Sequence, residues 1–373
     1  MAERAAESAD HIDAERRLPP ELAADMAGEG LFRLLVPRSF GGAEMDFIEY
    51  LRVIEIFARA DASVAWCVNQ NNVFATDAVR MAAETARAVW ADPMSVISNG
   101  PPTASTRAIP ADGGYRVTGR WNFSSGIRHA NWVAALSPVD QSTDDGRQGA
   151  GAAKEIVLLI PKDQVEVLDV WQVNGLRGTG SFSFQATDLF VPASHAYLVD
   201  EPPREEGPLY LVPKVLMFAA GFGTVALGVA RSALDAAIDI AGKKVPVKRT
   251  SVLRDTSTTQ RQIGDAEARW RAAQAFLEHA ASALWAGASN LGEITERERI
   301  QLRLAATHAI REAAGVVAVA YDVAGSSGIF TSNPIQRRLQ DAQVITQQVQ
   351  GRLTHYDLAG AFYLGLEPKS TYY

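Results

Sequence analysis

The sequence predicts a mostly helical α+β protein built from three successive units, and three observations predict it. Apolar residues recur at three- and four-residue spacings through 1–97. Short β-branched and aromatic runs, separated by Gly, Pro, Asn and Asp, fill 98–205, and helical spacing then returns over 206–373. Strands and helices are grouped rather than alternating, which excludes a sheet of βαβ units.

In the first unit, "PPELAADMAGEGLFRLL" and "MDFIEYLRVIEIFARADASVAWCV" read as helices around the turn "VPRSFGGAE". Pro19 and Pro20 suit a helix start, and Asp46 stands before an apolar run as a cap. In the second, "YRVTGRWNF", "NWVAALSPV", "EIVLLIPKDQVEVLDV" and "SFSFQATDLFVP" read as antiparallel strands, with a polar, glycine-rich loop over 140–153. After the linker "EPPREEGP", helices are expected over 211–241, 257–289, 293–324 and 333–364.

Composition removes several classes of function. The chain is 47% hydrophobic and 21% charged with a net charge of −7, so it has a core to bury and no basic footprint for nucleic acid. The pairs Lys243-Lys244 and Arg337-Arg338 are local. Cys67 is the only cysteine, which rules out an internal disulfide and a Cys-based metal site and fits a reducing compartment. Charges at Glu3, Arg4, Glu7 and Asp10 stand where a signal peptide needs an apolar core, so a cytoplasmic protein is expected. The uncharged run Val215 to Ala230 is shorter than the roughly 20 apolar residues of a membrane span and reads as a buried helix.

Motifs are few. Gly221, Gly223 and Ala226 have a dinucleotide-binding spacing, but the small residues continue into one helix, so close helix packing is the better reading. No Gly-x-Ser-x-Gly elbow occurs, and the histidines are scattered without metal-ligand pairing, so no metal is expected. His129 is set apart by lying four residues after the Ser-Ser turn, either as a solvated loop residue or in a site. That turn belongs to "GRWNFSSGIRHANWVAALSPV", which gathers tryptophans, an asparagine and hydroxyls around one hairpin. Near the C-terminus, "AGSSGIFTSNPIQRRLQDAQ" holds a Gly-Ser-Ser-Gly turn whose amides could meet an anion.

Together, "GLFRLLVPRSFGGAEMDFIEYLRVIEIFARADASVAWCV", "DGGYRVTGRWNFSSG" and "GLRGTGSFSFQATDLFVP" resemble the acyl-CoA dehydrogenase superfamily over nearly the whole chain, and most closely its flavin-dependent monooxygenase and hydroxylase branch. The resemblance implies an N-terminal helical domain (1–97), a central antiparallel β-barrel domain (98–205) and a C-terminal four-helix bundle (206–373) that assembles as a dimer of dimers. It implies that Trp121, Asn122, Ser124 and Ser125 line an isoalloxazine ring, since a flavin needs an apolar face and hydrogen-bond partners for N5 and its pyrimidine edge. It also places Gly325, Ser326 and Gly328 on the cofactor pyrophosphate across a subunit interface, with Arg254 and Gln260 nearby, and so favours FAD over FMN. Trp66, Asn69 and Asn72, at three-residue intervals on a helix that borders the family's active site, are substrate candidates with His129; core packing is an equal reading for Trp66.

The sequence departs from the family at its base. A dehydrogenase needs a carboxylate to take the α-proton. The family's usual glutamate falls at Val349, its alternative at Phe218, and the histidine of the monooxygenase branch at Gln348, while Gln340 precedes Asp341 where an arginine is usual. The substrate then needs no enzymic base, or His355, Tyr356 or Asp357 supplies one, or the alignment shifts by a helical turn. The catalytic candidates are Ser124, Ser125 and Gln348. The leading expectation is an O2-using flavin oxygenase or oxidase acting on a small aromatic or acyl metabolite, CoA thioesters included, with a separate flavin reductase as partner. The alternatives are an α,β-dehydrogenase with an unorthodox base and a catalytically silent binding subunit.

Overall fold

The computed structural model describes residues 1–140, 154–367 and 373; most of the expected 140–153 loop lies outside them. Six helices lead the chain: α1 (Ala2–Glu7), α2 (Ala9–Glu15), α3 (Pro20–Gly28), α4 (Phe47–Ala60), α5 (Ala62–Ala75) and α6 (Ala83–Trp90). Pro20 is the first residue of α3, where a missing N–H does no harm. Asp46 caps α4 by accepting from the Ile48 and Glu49 amides, as its position predicts. Asp61 does the same for α5 through Val64.

Eight strands follow among the described residues: β1 (Ile97–Gly100), β2 (Arg107–Ala111), β3 (Gly114–Ser124), β4 (Trp132–Pro138), β5 (Glu155–Pro161), β6 (Glu166–Leu168), β7 (Phe182–Pro192) and β8 (Ala196–Leu198). Among the described residues they form two four-stranded sheets, β1-β4-β5-β8 and β2-β3-β7-β6, and no closed barrel. The pairing is antiparallel except for β1 on β4, which is parallel. The barrel expected from resemblance is thus two facing sheets. Period-2 alternation explains the packing. Val133 and Ala135 on β4 join Val117, Trp121 and Phe184 in the core between the sheets, while Ala134 between them turns to the cluster of Phe74, Trp90 and Tyr197 beneath the helices.

The C-terminal unit contains α7 (Pro208–Leu211), α8 (Lys214–Lys243), α9 (Ser257–Ala286), α10 (Glu296–Ala324), α11 (Pro334–Gln347) and α12 (Thr354–Tyr363). Helix α8 is its axis and is mostly buried. The small residues of α8 serve close packing, as their spacing suggests: a Cβ on Gly221 would stand 1.9 Å from Asn69 Oδ1, and one on Gly228 2.4 Å from the Ala58 Cβ. The last expected helix, 333–364, is two helices. Arg303, fully buried on α10, donates to the Gln350 side chain and, at 3.1 Å, to the Val215 carbonyl, and Thr307 donates to the Gln350 carbonyl at 3.0 Å. These bonds fix the bent segment between α11 and α12 against the start of α8.

Candidate functional site

The hairpin turn between β3 and β4 is built by a bulge. Trp121 pairs with Phe184 and Ser124 with Phe182, so Asn122 and Phe123 together oppose Ser183. The extra residue reverses the alternation, and Phe123 takes a left-handed φ of 56° and is 61% exposed. A non-glycine residue in that region is strained, and such strain persists where surrounding contacts enforce it. Here they are dense. Asn71 Nδ2 and Ser98 Oγ both donate to the Ser125 carbonyl, at 3.3 and 2.9 Å, and the Gly126 amide donates to Thr179 O at 2.8 Å.

Four polar side chains continue this frame inward. The Trp66 indole donates to Ser125 Oγ at 3.0 Å; Ser125 and Ser181 hydroxyls meet at 2.7 Å, as do Ser181 and Thr179; and Thr179 donates to the Leu176 carbonyl at 2.8 Å. Asp341 Oδ1 in turn accepts the Leu176 amide at 2.6 Å, and burial pushes that carboxyl up to about 7. By contrast Ser124 Oγ is buried without a partner among the described residues. Beside it, Gly100 is too close for any side chain, since a Cβ there would lie 2.7 Å from Ser124 Oγ.

Several expected site residues are placed elsewhere. Trp121 is a core residue, fully buried, stacked on Phe184 at 4.8 Å and donating to the Leu136 carbonyl at 2.7 Å, so its ring packs between the sheets and not at the turn. Phe123, which sequence reasoning missed, is the aromatic side chain presented at the turn, with Trp171 edge-on at 6.2 Å. Asn122 spends its carbonyl oxygen within its own sheet, accepting from Arg120 and Ser183 at 3.0 and 2.8 Å.

Asn69 and Asn72 are buried and bonded within the helical core. Asn69 Oδ1 accepts from the Tyr50 hydroxyl at 2.9 Å against Gly221, and Asn72 bonds the Leu31 and Val68 carbonyls and the Leu35 amide. Every α5 residue except Gln70 is buried, so a three-residue stripe selects no exposed face. Gln70 is the half-exposed one, and its Nε2 donates to Asn99 Oδ1 on β1 at 2.8 Å. Trp66 stacks on Phe222 at 3.8 Å, and Phe222 on the half-buried Phe218 at 5.9 Å, giving an aromatic ladder between α5 and α8. His129 stacks on Phe32 at 4.9 Å, 3.3 Å from Asn71 Oδ1, and desolvation holds its pKa down to about 3. The imidazole so placed packs between Phe32 and Asn71 and supports the turn.

Gln348 turns its side chain back to accept from the Gln350 amide at 2.7 Å. His355 is buried with its Nε2 2.8 Å from the Val349 carbonyl, Asp357 is exposed, and burial raises the Tyr356 hydroxyl. The expected pyrophosphate residues gather at the far end of α8: Lys244 donates to Ala324 O at 2.7 Å beside the Gly325 turn, where Gly325 has φ 54° and Ser326 is exposed, Gly328 is buried, and Gln260 donates to the Arg254 carbonyl at 3.0 Å.

An exposed aromatic face on a strained, densely hydrogen-bonded turn fits a planar ring, and comparison with known proteins identifies the ring's class. The acyl-CoA dehydrogenase N-terminal domain family matches residues 1–95 and the C-terminal domain family matches 220–350. An indole-3-acetate monooxygenase of Pseudomonas putida is 30% identical over 97% of this chain and 91% of its own. This chain belongs to the acyl-CoA dehydrogenase superfamily, in its flavin-dependent monooxygenase branch. The oxygenase component of an FADH2-dependent resorcinol hydroxylase from a Rhizobium species is 26% identical over 98% of this chain and 92% of its own. The crystal structure of a 3-HSA hydroxylase from Rhodococcus sp. RHA1 superposes with a TM-score of 0.89 at 25% identity, covering 100% of this chain and 97% of that one. The cofactor class is a flavin.

Proposed function

We propose that this chain is the oxygenase component of a two-component flavin monooxygenase that takes reduced flavin, FAD in preference to FMN, from a separate reductase and hydroxylates a small electron-rich aromatic substrate. When bound and reduced, the flavin supplies the activation of O2. The protein supplies the rest: Phe123 offers an apolar face and Ser125 a hydroxyl to the ring's polar atoms, Ser124 is held behind them against Gly100, and the Trp66–Phe222–Phe218 ladder and the Gln70–Asn99 pair are the aromatic and polar groups nearest that turn for a planar substrate. The names of the relatives support an aromatic substrate, with indoles and phenols ahead of CoA thioesters.

The observation that carries oxygenation over dehydrogenation is the apolar character of the two positions aligned with a dehydrogenase's base. Phe218 and Val349 stand where a dehydrogenase carries its carboxylate, and His355 and Gln348 are both spent on the 348–350 backbone. Without an ionised base the substrate carbon must already be nucleophilic, as in an indole or an activated arene.

A second copy of the chain completes the cofactor site in this reading. At about 1.5 Å rise per residue, Phe222 and Lys244 lie about 33 Å apart along α8, so the Gly325 turn of one chain serves a flavin at the Phe123 turn of another. The test is a single turnover with stoichiometric reduced FAD, oxygen-18 gas and a panel of indoles, phenols and CoA thioesters. One labelled oxygen in an aromatic product supports the assignment. Bleaching of oxidised flavin by an acyl-CoA with release of the enoyl product would replace it with dehydrogenation.

A further inference from the structure

The hydroxyl chain at Ser125 has a direction. Its inner end is fixed, because Thr179 donates to the Leu176 carbonyl and a carbonyl has no proton to pass on. Its outer end is fixed too, because the Trp66 indole can only donate to Ser125 Oγ. Between them, only the hydroxyl hydrogens of Ser125 and Ser181 are free to choose.

Two arrangements result. In the first, Ser125 donates to Ser181 and Ser181 to Thr179; Ser125 then has one lone pair left and accepts from an outside N–H. In the second, Ser181 donates to Ser125, both lone pairs of Ser125 are used by Trp66 and Ser181, and Ser125 donates outward. The first arrangement satisfies every hydroxyl; the second leaves Thr179 Oγ1 without its donor, although the residue is 1% exposed. An oxidised flavin presents bare nitrogen acceptors along its central ring, whereas a reduced flavin presents N–H there.

We propose that Ser181 and Thr179 are positioning residues that set the Ser125 hydroxyl as an acceptor toward reduced flavin, so that the protein discriminates between the two redox states of its cofactor. This rests on the flavin reading given above and extends it to residues that touch no ligand. An oxygenase that receives its flavin already reduced gains from it, since the spent oxidised form is released in favour of a fresh reduced one.

The test is anaerobic titration of the full-length protein with FAD and FMN, each oxidised and dithionite-reduced, followed by fluorescence, for wild type, Ser181→Ala, Thr179→Val and Thr179→Ser. Wild type binds the reduced form more tightly. Ser181→Ala and Thr179→Val each narrow the reduced-to-oxidised affinity ratio about fivefold, equivalent to a fall of about 20 mV in the bound flavin's two-electron potential. Thr179→Ser, which keeps the chain, keeps the ratio. Equal weakening of both redox forms would reduce the chain to a structural part and overturn the proposal, as would an unchanged ratio in both broken-chain variants. Failure of wild type to bind either form would instead overturn the flavin reading itself.

Discussion

The indole N–H of Trp66 donates to the Ser125 hydroxyl at 3.0 Å, joining the buried helix α5 to the turn that presents Phe123. Trp66→Phe retains the stack on Phe222 and removes only the donor. The expected loss is about 1 kcal/mol of stability, with reduced and oxidised flavin weakened alike, because the Trp66 bond is present in both hydroxyl arrangements. Urea midpoints and paired titrations check it. A change in the redox ratio larger than that of Ser181→Ala would contradict this division of roles.

Trp121→Phe separates core from cofactor. The indole bond to Leu136 and part of a fully buried ring are lost, so unfolding becomes easier by about 1–3 kcal/mol. Flavin affinity stays within twofold of wild type, as read by fluorescence titration. A large drop in affinity with unchanged stability would return Trp121 to the cofactor.

Gly221→Ala tests the contact that explains the Gly-x-Gly-x-x-Ala spacing. The added methyl meets Asn69 Oδ1 and must push α5 from α8 or break the Asn69–Tyr50 bond, a loss of about 1–3 kcal/mol that outweighs the better helix propensity of alanine. Thermal melts decide it, and a stabilised variant would show that the two helices have room to separate.

Asp341→Asn should flatten the pH dependence of stability. The carboxyl is raised from about 3.9 in the unfolded chain to about 7, chiefly by burial, with Asp61 and Asp13 pushing in the same direction and Arg337 and the Leu176 amide against it. Asp341, Asp61, Arg337 and Arg338 line one cavity. A raised pKa in the folded state means protons are taken up on folding, so this contribution is complete below about pH 4 and disappears as pH rises to 7. Between pH 5 and pH 8 the wild type loses on the order of 2–3 kcal/mol relative to the variant, whose amide still accepts from Leu176. Parallel urea series at the two pH values measure the difference, and superimposable profiles would refute it.

The order of helical, β and helical units was legible because burial imposes different periods on helices and strands, and Asp46 and the α8 glycines were legible because caps and close crossings demand those residue types. The site was less so. Alternation puts Trp121 and Phe123 on one face of β3, and only the bulge, enforced by contacts from α5 and the 179–181 loop, sends one ring into the core and the other out. The asparagines of α5 look like pocket residues until the helix proves buried on every face but that of Gln70. The break at 348–351 is held by Arg303, Thr307 and Arg311, far away in sequence, and Gly351 is its one local mark.

The central claim is that the Phe123 turn holds the flavin, and the affinity of Phe123→Ala for reduced FAD tests it most directly. Loss of the exposed ring should weaken binding at least tenfold while the melting temperature stays within a few degrees of wild type, because a side chain already in water contributes little to the core. Unchanged affinity in a folded Phe123→Ala protein would contradict the account.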